Sequence, residues 1–129
     1  MPRNAEDVEN FLYGLNRTFD REENGMFIVS TGVDLPPVAI RVADPIVLVR
    51  VDIGKTPDGH ERQAKLFRRL LEYNGGDLMH ASYCLEGDEI VLSAGLELEN
   101  LDENELAAVL SDIDLALVRH VPALRELAA

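Results

Sequence analysis

A chain of 129 residues, 47% hydrophobic and 28% charged, is long enough for one domain with a real core and too apolar for a disordered segment. Its net charge of -12 is uneven: residues 1–76 hold twelve acids and ten bases, residues 77–129 twelve acids and two bases. Nucleic acids and anionic membranes are bound through Lys and Arg, so this balance argues against both and for polypeptide partners, basic ones among them. A single Cys84 excludes an intramolecular disulfide and a cysteine-rich zinc site. The N-terminal MPRNAEDVENF lacks an apolar run of signal-peptide length, and the longest apolar stretch, near Ile46, is too short to cross a bilayer. A cytoplasmic location is the default expectation.

Val8, Phe11, Leu12, Leu15 and Phe19 line one face of a first predicted helix, capped by Asn4 and running to about Phe19, before the polar stretch 20–25 breaks it. Strands are predicted over 26–31, 38–43 and 46–53, separated by Asp34-Leu35-Pro36-Pro37 and Asp44-Pro45. In the third, Val47, Val49, Val51 and Ile53 share one face, while Ile46, Leu48, Arg50 and Asp52 share the other, which is therefore half apolar. A second helix over 58–74 has Asp58 and Glu61 at capping-box spacing, Ala64, Phe67, Leu70 and Leu71 as its buried face, and Gly75-Gly76 as a stop. It also carries the chain's one basic cluster, Arg62, Lys65, Arg68 and Arg69.

Strands over 78–85 and 89–98 form a hairpin around Glu86-Gly87-Asp88. In the last helix Leu106, Val109, Leu110, Ile113, Leu117, Val121 and Leu124 make the apolar face, and Pro122 predicts an end or kink near His120. Asp102 and Glu105 sit at capping-box spacing at its start, flanked by the staple pair Leu101 and Leu106. The order α-β-β-β-α-β-β-α, with strands in runs, predicts the α+β class: an antiparallel sheet with helices packed on it, in a single domain spanning 1–129.

Gly54-Lys55-Thr56 resembles the tail of a phosphate-binding loop, but Val49 stands where that loop needs glycine. His60, His80 and His120 show no metal-ligand spacing. Cys84, His80 and Asp77 suggest a thiol, base and orienter, yet four residues along a strand separate His80 from Cys84 too widely for a hydrogen bond. Asp112 and Asp114 point in different directions on their helix and read as solvated charges. No catalytic residue, cofactor or metal is expected.

The stretch LLEYNGGDLMHASYCLEGDEIVLSAGLELENLDENELAAVLSDI, residues 70–113, together with the element order and acidity, resembles the YbjN-like proteins and class I type III secretion chaperones. The local likeness rests on Leu70, Leu71 and Asn74, on Glu86-Gly87-Asp88, and on residues 91–102. It implies a non-enzymatic homodimer that holds an extended segment of a client protein. Phe27, Val29, Ile46 and Leu48 are the expected client-binding apolar surface, if on a sheet face that helices leave open; otherwise the first helix covers them as core. Arg62, Lys65 and Arg69 are the expected dimer or partner surface. The alternative is a small ligand-binding protein or enzyme with a pocket between sheet and helix, using His80, Ser82 and Cys84.

Overall fold

The computed structural model describes residues 3–129. In chain order the elements are α1 (Ala5–Gly14), β1 (Phe19–Arg21), β2 (Phe27–Val29), β3 (Val38–Ala43), β4 (Ile46–Lys55), α2 (His60–Gly76), β5 (Ser82–Glu86), β6 (Glu89–Glu97) and α3 (Glu103–Ala128). The strands make one antiparallel sheet in the order β1-β2-β3-β4-β6-β5. This is the α+β class expected, with one strand more.

The additional strand is β1, which shortens the first predicted helix. Asn4 caps α1 in a reciprocal box with Asp7, but the helix ends at Gly14 and Asn16 adopts a φ of 57°. Asn tolerates that left-handed backbone better than most residues, and there the chain turns. Phe19 then enters the sheet opposite Val29, with its ring 5.0 Å from Tyr13 and 5.9 Å from Phe27. Thus Phe19 reaches the core expected of it from a strand instead of a helix.

β4 is central, pairing with β3 through Val42↔Val47 and with β6 through Val49↔Ala94. Its alternation is realised: Val47, Val49 and Val51 are buried with Ile40, Ile90 and Leu92, while Ile46 and Leu48 are exposed. Gly54 and Lys55 are the last residues of this strand, paired with Ile90 and Glu89, and form no phosphate loop. In the β5–β6 hairpin Gly87 has a φ of 60° at the first central position, the placement a type II′ turn demands.

Two helix expectations need correction. α2 starts at His60 after Gly59, whose side of the junction makes no side-chain cap, so Asp58 and Glu61 form no capping box. Its buried residues are Leu66 and Leu70, with Phe67 and Tyr73 half-buried against the core. Ala64 and Leu71 are exposed, because the helix is rotated from the expected face and runs through Gly75 and Gly76.

α3 likewise continues through Pro122 to Ala128. The proline removes the N–H that would reach the carbonyl of Val118 and costs about 3 kcal/mol. Val121 and Leu124, on either side, are fully buried and contribute about 1.5–3 kcal/mol each. Burial outweighs the lost bond, and the whole predicted apolar face of α3 lies in the core. Its N-terminus carries the expected box: Glu105 N–H donates to Asp102 Oδ1 at 2.9 Å and Asp102 N–H to Glu105 Oε1 at 3.3 Å.

Candidate interaction surfaces

Alternation along the strands gives the sheet two faces, and the helices are packed on one. The second face presents Ile46 at 43% and Leu48 at 46% exposure, beside Ser93 and Gly95 of β6 and Ser82 of β5. Leu48 pairs with Gly95, so the missing side chain leaves a depression of about 390 Å³ lined by Leu48, Arg50, His80, Ser82, Glu86 and Ser93. Arg50 closes its far end. Its Nε donates to Asp52 at 2.9 Å and its Nη1 to both oxygens of Glu86 at 2.7 and 2.6 Å, which raises its already high pKa. This bridge spans β6 at Val91, which among the described residues is the one residue of the open face that is fully buried.

The four residues expected to form one client surface therefore part company. Phe27 and Val29 face the helices at 0% exposure, so they are core; Ile46 and Leu48 alone are on the open face. The reason is strand register: Phe27 pairs with Ile40 and Ile40 with Val49, which sets all three on the covered side. Arg62, Lys65 and Arg69 are exposed on α2 as expected. Arg69 lies 3.8 Å from Glu72 and 5.9 Å from the centre of the Tyr73 ring, while Arg62 and Lys65 make no ion pair among the described residues. Next to them, Phe67, Leu71, Tyr83, Cys84 and Leu85 line an apolar groove of about 260 Å³ between α2 and β5, where Leu71 is 70% exposed.

The junction between α2 and β5 holds a polar network that sequence spacing did not reveal. His120 of α3 is buried, with Nε2 2.8 Å from Asp77 Oδ2 and Nδ1 2.8 Å from the Tyr83 hydroxyl. Its ring stacks on Tyr73 at 3.5 Å and 7°. A carboxylate accepts only, so Nε2 donates to Asp77, while Nδ1 shares a hydrogen bond with the Tyr83 hydroxyl. Burial pushes the Tyr83 phenol above its ordinary range. Asp77 thus orients His120, not His80, and both His80 and Cys84 are exposed without bonding each other. The available signal was position: His120 falls three residues after Leu117 and four before Leu124, on the buried face of α3.

Asp112 also departs from the solvated role expected of it. Its carboxylate accepts the N–H groups of Met79, His80 and Ala81 at 3.2, 2.7 and 2.9 Å. Partial burial opposes its charge, but these three donors outweigh it and hold its pKa below the usual value. Asp114 is bound too, 2.7 Å from Arg17. Among the described residues no group of three or more His, Cys, Asp or Glu side chains is placed to hold a metal ion. None of the described helices is long and apolar enough to cross a membrane.

Comparison with solved structures finds the same helix-backed antiparallel sheet in other proteins. The chain is similar to a protein of the heterodimeric ExoU–SpcU complex from the type III secretion system of Pseudomonas aeruginosa, with a TM-score of 0.69 and 16% identity over 89% of this chain and 95% of that one. It is similar to YbjN from E. coli with a TM-score of 0.65 and 15% identity over 89% of both chains. In the complex of the Yersinia pestis type III secretion chaperone SycH with a fragment of YscM2, the likeness has a TM-score of 0.57 and 17% identity over 93% of this chain and 98% of that one. No curated protein matches the sequence. The family model CesT_Tir_1 matches residues 1–129, and the chain belongs to that family.

Proposed function

We propose that the protein is a non-enzymatic, cytoplasmic polypeptide-binding protein: a homodimer, one domain per chain, that holds an extended segment of a client as secretion chaperones do. The observation that carries this reading is the uncovered sheet face, where Ile46 and Leu48 stand two residues apart above the depression over Gly95. Their spacing along β4 is about 6.6 Å, the repeat at which an extended peptide presents alternate side chains. Each is about half exposed, so covering it contributes roughly 1 kcal/mol. Several such contacts with backbone order already built in suit a client held without chemistry. Family membership supports the same reading, and the SycH and ExoU–SpcU structures are themselves complexes with other proteins.

The dimer contact in this reading is α2, where exposed Leu71 flanks the apolar groove and Arg62 and Lys65 offer cations to the acidic remainder of a second copy. Light scattering at micromolar concentration should give twice the chain mass, and a strict monomer would count against this contact. Affinity purification from the native host, followed by mass spectrometry, should recover a protein partner with the wild type and lose it with Ile46→Asp/Leu48→Asp. Equal recovery with that variant would remove the open face from the reading.

A further inference from the structure

We propose that Asn74, with Asp112 beside it, seals the β5 edge of the sheet against strand addition by a second copy of this chain. This goes beyond the proposed client binding and stands independently of it. β5 is an outermost strand, and an unpaired strand edge presents N–H and C=O groups that template pairing with an identical chain. In an antiparallel ladder both backbone groups of a residue point the same way, and the direction alternates. The Asn74 amide meets Tyr83 from outside the sheet: Tyr83 N–H donates to Asn74 Oδ1 at 2.7 Å, and Asn74 Nδ2 donates to the Tyr83 carbonyl at 3.0 Å. Tyr83 is therefore an outward-facing position, and so are Ala81 and Leu85.

Ala81 N–H is taken by Asp112 at 2.9 Å, which leaves Leu85 as the open position of the three. The Asn74 side chain stands in for a neighbouring strand, donating and accepting as a paired residue would. It is held there because α2 runs on through Gly75 and Gly76, and because the Tyr83 hydroxyl is tied to His120. Alanine or leucine at position 74 lacks both of the groups required.

The opposite edge has no such seal. Ser30 N–H reaches Thr18 and Glu22 N–H reaches Met26, so Phe19 and Arg21 are the outward residues of β1, and among the described residues no side chain takes their backbone groups. β1 is three residues long and ends in charged Arg21, the other means by which an edge is kept from self-pairing.

The seal is tested by amide hydrogen exchange on the intact wild-type protein and on Asn74→Leu, with molar mass measured alongside. In the wild type the Tyr83 amide should exchange at least tenfold more slowly than that of Leu85. In the variant Tyr83 should lose that difference while the core strand β4 stays protected, and species larger than the wild-type assembly should form as concentration rises. Equal exchange of Tyr83 and Leu85 in the wild type would overturn the proposal without any variant. A folded Asn74→Leu with unchanged Tyr83 exchange and unchanged mass would overturn it as well. Asn74→Asp keeps the acceptor and loses the donor, so it should retain slow Tyr83 exchange yet associate; should Asn74→Leu fail to fold, a monodisperse Asn74→Asp overturns the seal.

Discussion

The two faces of β4 differ by one residue of register and by almost everything physical. Val47, Val49 and Val51 are enclosed by helices, whereas Ile46 and Leu48 meet solvent from the same strand. Equal hydrophobicity does not decide this; what decides it is which side α1 and α3 cover. An apolar residue on the first face stabilises the fold, and one on the second is available to a partner.

Substitutions on either side should separate stability from binding. The largest effect is expected from Phe27→Ala, which empties a fully buried ring site and should lower the unfolding free energy by about 3–5 kcal/mol in a urea titration. Leu48→Ser, on the open face, should change the same titration by about 0.5 kcal/mol or less. A large loss of stability there would mean that the open face is core by another route.

Asp112→Asn should cost roughly 1–3 kcal/mol, since the charged acceptor of three N–H groups is replaced by a neutral one. The folded pKa lies below the ordinary 3.8, so the stabilisation is complete above that value and is lost as pH falls through the lower, folded one. Wild-type stability should therefore fall more steeply below about pH 4 than that of the variant, a difference visible in thermal melts across pH. A smaller loss than that of Phe27→Ala is expected from Asp102→Ala, which breaks the α3 capping box at a cost of about 1 kcal/mol and should leave partner binding unchanged.

Elements with strong periodicity were legible in the sequence: the alternation of β4 and β6, the apolar face of α3 and the caps at Asn4 and Asp102 each follow from local spacing. What spacing could not convey were decisions made by distant partners. Phe19 leaves the helix because the sheet offers Val29, and Pro122 is tolerated because burial of its neighbours outweighs one hydrogen bond. The same limit applied to the candidate surface: Ile46 and Leu48 followed from alternation within β4, but excluding Phe27 and Val29 required knowing how β2 is registered on β3. Asn74 and Tyr83 are nine residues apart, Ala81 and Asp112 thirty-one, and Asp77 and His120 forty-three, so each pair meets only in the fold.

The most direct test of the open face is amide hydrogen exchange of the protein with and without the polypeptide partner recovered from its host. Protection should rise over residues 46–50 and 93–95, which border the depression, with little change in the already slow amides of β2. Partner-induced protection confined to other surfaces, with residues 46–50 unchanged, would contradict it.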